Sequence, residues 1–249
     1  MMISIGSRFD SRPQRPTRAE LASAALPGFA QGRIGRDVLK IFALPLVLLA
    51  MQPFQSSIRP LPAPVRAELT GRFWQAGCPV PLSGLRLLTV SHWDFRGRVQ
   101  TGQLVVNGRY AASLAKVFRR LYDLHFPIRH MRLGDAYGPS RVRPADGDVT
   151  YSFECRQAVP SPCTGGTGTG SWSEHAYGQA IDLNPIENPY VGCGRSRVRA
   201  SGPYLNRSRL RRGMVTPAVV QAFRSVGWGW GGSWSGNTKD YMHFSASGH

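Results

Sequence analysis

The sequence predicts an α+β domain, a small antiparallel sheet with helices packed outside it. Three observations carry this. Runs at 85–95, 149–153, 180–183 and 242–245 are β-rich, several of them alternating apolar and polar residues with period two. Residues 111–125 and 216–226 place apolar side chains at helical spacing instead. Hydrophobic content is ordinary at 42%, so a core is possible.

The 249 residues suffice for one domain of ordinary size plus a tail. Residues 1–40 hold six Arg and one Lys against three acids, without an apolar period, and read as disordered. Residues 41–51 are apolar throughout. They are too short to span a bilayer, which takes about 20 residues. They suit the apolar core of a signal peptide behind Arg36 and Lys40, although the basic region before them is far longer than usual. The alternative is a buried or surface-associated apolar segment. Residues 52–64 contain Pro53, Pro60, Pro62 and Pro64 and read as a stiff, extended linker. The domain is therefore expected over 65–249, with 1–64 as a basic N-terminus, signal-like segment and linker.

Within the domain, residues 65–74 read as a short helix packing Leu69 and Trp74. Residues 85–95 and 104–106 read as strands. Residues 111–125 form an amphipathic helix in which Leu114, Val117, Phe118, Leu121 and Leu124 share a face, and Pro127 ends it. Residues 128–133 and 149–153 read as strands, separated by a loop at 134–147. Residues 163–170 are a flexible Gly/Thr loop. No Lys-Ser/Thr follows it, so a phosphate cradle is discounted. Thr216 caps a helix with Pro217 in its first turn, and Gly227 stops it. Residues 227–236 are rich in Gly and Trp, able to wall a cleft or to close the core.

The charge balance is 31 Lys and Arg against 14 Asp and Glu. Such a chain favours polyanionic surroundings: nucleic acid, anionic lipid or an anionic cell wall. A coding bias toward Arg is the plain alternative. Residues 193–213 carry seven Arg and no acid, and read either as a solvated loop or as a rim that holds carboxylates or wall phosphates. The cysteines Cys78, Cys155, Cys163 and Cys193 form no Cys-x-x-Cys pair, which argues against a zinc knuckle. They permit two disulfides in any of three pairings. Cys163 and Cys193 flank the motif described next and are the favoured pair.

That motif is Ser173-Glu174-His175-Ala176-Tyr177-Gly178-Gln179-Ala180-Ile181-Asp182-Leu183-Asn184-Pro185. Gly178 and the alternation after it argue against helix, so a loop carrying His175 runs into a strand carrying Asp182. On that strand Ile181 and Leu183 face the core and Asp182 faces the other side. A second motif, Asp240-Tyr241-Met242-His243-Phe244-Ser245, ends in another strand. If the two strands pair, His243 and Asp182 share a sheet face. Two histidines and one carboxylate are the three-ligand pattern of a catalytic zinc, with the fourth position left for water. Asp240 is then a free carboxylate close to that water, provided that a turn near 239–240 brings it to the same side as His243.

Together with Gly227-Trp228-Gly229-Trp230-Gly231-Gly232-Ser233-Trp234, these motifs resemble the VanY-like D-alanyl-D-alanine carboxypeptidases. Those belong to zinc peptidases that include phage L-alanyl-D-glutamate endolysins. The resemblance runs from about Val65 onward. It implies the zinc D,D-peptidase (hedgehog/DD-peptidase-like) fold, Zn2+ on His175, Asp182 and His243, and Asp240 as general base, since the family places Glu or Asp three residues before its last ligand. It implies Arg156, in Ser152-Phe153-Glu154-Cys155-Arg156, as a catalytic and substrate-binding guanidinium for a carboxylate or developing oxyanion. Ser173 is either a substrate contact or a cap. The expected function is hydrolysis of peptide bonds in peptidoglycan stem peptides by an exported monomer. Its partners would be the peptide substrate and anionic cell-wall polymers, without nucleic acid. The rivals are a non-catalytic wall-binding module on the same fold, and nucleic-acid binding through the Arg-rich segments, whose only signal is charge.

Overall fold

The computed structural model describes residues 52–133 and 147–249. All of them fall in one compact unit, Ala50–His249. The signal-like segment at 41–51 and the basic residues before it lie outside the described residues, as does most of the loop expected at 134–147.

The strands in chain order are β1 (Ser56–Pro60), β2 (Leu85–Trp93), β3 (Val99–Asn107), β4 (His130–Met131), β5 (Val149–Thr150), β6 (Ala180–Asp182), β7 (Tyr190–Gly192), β8 (Arg195–Ser196), β9 (Gly229–Trp230), β10 (Thr238–Asp240) and β11 (His243–Ser245). Among the described residues three α-helices accompany them: α1 (Ala63–Leu69), α2 (Ala111–Asp123) and α3 (Pro217–Arg224). The α+β expectation holds with a correction. In place of one sheet the described residues form three small antiparallel sheets, ordered β1-β2-β3, β10-β7-β8 and β6-β11-β9, and a parallel pair, β4-β5.

The β2–β3 hairpin is the scaffold. Both strands are apolar on both faces, so each face meets its own core. Leu88, Val90, Leu104 and Val106 pack into the larger core with α2, α3, β6 and β11. Leu85, Leu87 and Val105 pack into a second core with Leu61, Leu69, Phe73 and Phe153. Full burial of such side chains is worth about 1.5–3 kcal/mol each. Residues 104–106, expected as a short strand, are the inner half of the longer β3, whose outer half is exposed at Gln100 and Thr101.

The linker expected at 52–64 is corrected. Ser56–Pro60 pairs antiparallel with β2, from Ser56 opposite Val90 to Pro60 opposite Arg86. Every side chain of β1 is exposed, so it has no apolar period to read, and backbone pairing alone places it. Pro60 is tolerated at the end of an edge strand, where its missing N–H breaks no ladder. In α2, Leu114, Val117, Phe118 and Leu121 are buried as expected, whereas Leu124 lies beyond the helix and is exposed. Thr216 Oγ1 accepts the Val219 N–H and starts α3, as its sequence requires.

Two disulfides are formed. Cys78–Cys155 staples the second core, and Cys163–Cys193, the favoured pair, ties the Gly/Thr loop to the turn after β7. No helix among the described residues is long and apolar enough to cross a membrane.

Candidate metal centre

His175 sits in one turn of 3-10 helix, Glu174–Tyr177, where the sequence reads as plain loop. Ser173 winds it: its Oγ accepts the His175 N–H at 3.3 Å. Gly178 ends it with φ of 63°. A Cβ at that position would stand 2.8 Å from the Asn107 nitrogen and 3.2 Å from a Leu85 methyl. Only glycine lets the turn close against the β2–β3 hairpin, where the Asn107 N–H donates to the Gly178 carbonyl at 2.8 Å.

The chain then enters β6, which pairs with β11 so that Asp182 lies opposite His243. Ile181 and Leu183 join the larger core, and the sheet face between them holds the two polar partners. Asp182 Oδ1 is 3.2 Å from His175 Nε2 and 3.1 Å from His243 Nδ1. All three residues are buried, and their candidate ligand atoms lie within 4.8 Å of one another.

The second nitrogen of each ring shows how the first is used. His175 Nδ1 lies 2.6 Å from the Ser152 carbonyl, which accepts only, so Nδ1 carries the proton in the neutral ring. Nε2 is then a bare lone pair, buried and without a hydrogen-bond partner, close to a carboxylate oxygen. Two acceptors at that range repel unless a cation stands between them. His243 repeats the pattern, with Nε2 3.1 Å from the main-chain oxygen of His249 and Nδ1 toward Asp182. Zinc with bonds of about 2.0–2.1 Å in tetrahedral geometry holds its ligand atoms about 3.3 Å apart. The two separations match that spacing, and the donor set fits the ion. The electrostatics agree. Burial would raise the Asp182 carboxyl, yet His175 and His243 hold it well below the usual carboxylate range. Burial would lower His243, yet Asp182 and Asp240 raise it. The group attracts positive charge.

Asp240 closes β10, and the bend at Tyr241 and Met242 separates it from β11. The required turn thus falls just after Asp240. Burial and the Asp182 charge push the Asp240 carboxyl up to about 7, against the pull of His243 and Arg156. Its Oδ1 is buried and has no hydrogen-bond partner. A carboxyl that titrates near neutrality with an uncommitted oxygen is suited to moving a proton. Glu174, the other acid of the first motif, is bonded to Gln179 at 2.8 Å instead.

Arg156 donates to Glu154 Oε2 at 2.7 Å, to the Tyr151 hydroxyl at 3.0 Å and to the Gln157 carbonyl at 3.2 Å. Burial would lower its pKa, but Tyr151, Glu154 and Asp182 raise it well above the ordinary value, so it stays cationic. Ser173 has its oxygen committed to the cap. Three supporting groups escape sequence reasoning. Tyr151 stacks on His175 with ring centroids 4.8 Å apart and holds Arg156 through its hydroxyl. The Ser152 carbonyl and the His249 main-chain oxygen orient the two histidines. Strand alternation could have placed Tyr151 beside Asp182, which it meets in a β-bridge, but no sequence signal marks a carbonyl. Among the tryptophans, Trp228 is buried in the core, and Trp234 stands 5.8 Å from the His243 ring.

No curated protein and no solved structure matches the chain. The residues that bring His175, Asp182, Asp240 and His243 together fall within 167–246, which match the family model of D-alanyl-D-alanine carboxypeptidase, and this match supports the VanY-like family that the motifs resemble.

Proposed function

We propose that this chain is a zinc-dependent peptidase acting on peptidoglycan stem peptides, as a D-alanyl-D-alanine carboxypeptidase or an L-alanyl-D-glutamate endopeptidase. The observation that carries the reading is the buried His175–Asp182–His243 group, whose His175 Nε2 has no hydrogen-bond partner and faces Asp182 Oδ1 at 3.2 Å. His175, Asp182 and His243 would hold the ion. Bound there, zinc supplies a Lewis acid that acidifies a water and polarises the scissile carbonyl. Asp240 accepts the proton of the attacking water at its carboxylate and delivers it to the leaving amine. Arg156, kept cationic, donates to a substrate carboxylate or to the oxyanion that develops. Glu154 and Tyr151 hold its fork in place. The non-catalytic rival would be expected to lack a ligand or the base, and all four positions are filled. No second chain is needed, since every group named comes from one. Two disulfides suit an oxidising compartment and support an exported protein.

Metal analysis coupled to turnover tests this. Purified protein should hold one zinc per chain and cleave isolated stem peptides. His175→Ala, Asp182→Ala and His243→Ala should each lose both the ion and the hydrolysis. Stoichiometric zinc with full activity in any one of them would refute the ligand set.

A further inference from the structure

The residues from Cys193 to Gly213 contain seven arginines and no acid. One of the seven, Arg207, is turned inward. It donates to the Glu187 carbonyl at 2.8 Å and to Asn188 Oδ1 at 3.1 Å, and its guanidinium lies 4.5 Å from the Tyr241 ring centre. The other six, Arg195, Arg197, Arg199, Arg209, Arg211 and Arg212, are exposed. None of the six is ion-paired to a carboxylate among the described residues.

Six unpaired like charges in a short stretch repel one another, and such blocks ordinarily sit in disordered tails. This one is pinned. Cys193 is bonded to Cys163, and its N–H donates to the Asn237 carbonyl. At the other end the Gly213 carbonyl accepts from both Asn184 and Asn188 side chains. Arg207 holds the middle. The segment is also continuous with the candidate site, because β7 pairs with the strand that ends in Asp240.

From this segment we infer a docking surface for a flexible phosphodiester polymer of the cell wall. Guanidinium forks match phosphate oxygens two by two and stay charged at any physiological pH. A lipid surface is a poorer partner. The one large apolar side chain exposed on the segment is Leu210, and burying a single leucine yields about 1.5–3 kcal/mol. Nucleic acid is a poorer partner too. Binding single strands uses aromatic platforms, and the segment's only aromatic, Tyr204, is half-buried. What remains is contact with phosphates alone. The choice of a wall polymer rests on the peptidase reading above, whereas the binding itself does not require catalysis.

The test measures binding of the purified full chain to synthetic poly(glycerol phosphate) as salt is varied, with no peptide substrate present. Neutralising six phosphates should give a slope of log affinity against log salt near about −4, at roughly 0.7 per contact. The quadruple variant Arg195→Gln, Arg199→Gln, Arg209→Gln, Arg211→Gln removes four of the six charges. It should cut that slope to about a third, by the same per-contact value, while stem-peptide turnover stays at the parent level. Absence of binding, an unchanged slope in the variant, or binding only to duplex DNA or to phosphatidylglycerol vesicles would each overturn the inference. Failure of the peptidase reading shows separately, as no turnover in either protein.

Discussion

A histidine becomes a metal ligand partly through what its other nitrogen does. His175 has the Ser152 carbonyl, and His243 has the His249 main-chain oxygen, which also accepts from Ser245 Oγ at 2.8 Å. Trp234 Nε1 holds the same tail through the Gly248 carbonyl at 2.8 Å. Removing residues 247–249 should therefore weaken zinc about 10–100-fold, the usual effect of losing such a partner, by chelator competition. His249→Ala keeps the main-chain oxygen and should keep the affinity; equal losses in both would assign the effect to the imidazole instead. Asp240 is a separate case, since it lies outside the three-ligand group. Asp240→Asn should retain one zinc and lose about 10²–10⁴ in turnover, because an amide cannot take up the water's proton. Full zinc with near-normal turnover would remove Asp240 from the mechanism. The side chains of this site are legible in the sequence, because they stand in two short motifs whose strand alternation puts Asp182 and His243 on one sheet face. The carbonyls that orient them are not, since every residue carries one.

At the scale of elements, legibility followed burial. The helices α2 and α3 and the strands β2, β6 and β11 bury side chains in a fixed period, and each was readable. β1 buries none, and residues 128–133 yield only the two-residue β4, parallel to β5, because its partner lies across a segment with no periodic signal. β1 covers the open edge of β2, and α1 begins at Ala63, ahead of Val65. A protein starting at Val65 would present the unpaired N–H and C=O groups of β2 to solvent, a template for self-association. It should unfold at a lower temperature and scatter light more strongly than one starting at Gln52. Equal melting and scattering of the two would show that β1 contributes nothing to stability.

Across the whole molecule, a buried polar cluster joins segments far apart in sequence. Arg129 donates to Asp148 Oδ2 at 2.7 Å and to Glu187 Oε1 at 2.6 Å, and Asp148 Oδ1 accepts the Ile186 N–H at 3.0 Å. Asn184 adds the Pro127 and Gly213 carbonyls. This cluster braces the chain that leaves β6 and so supports Asp182 from behind. It was not legible, because its members come from three loops and no local pattern links them. It also makes stability depend on pH. Burial, and then Asp148 beside it, push Glu187 from the ordinary 4.5 up to about 8, against Arg129. Between those two values the folded protein keeps a proton that the unfolded chain has released. Stability must then fall as pH rises through that window and level off above it. Glu187→Gln cannot ionise, while its amide oxygen can still accept from Arg129. Thermal melting from pH 5 to pH 8.5 should show the parent losing more stability than the variant, which keeps only the slope that the raised Asp240 and His243 contribute. The two should be closest at pH 5, where the parent carboxyl is still protonated in the fold. Parallel pH profiles for the two proteins would assign the dependence to some other group and leave Glu187 ionised in the folded state.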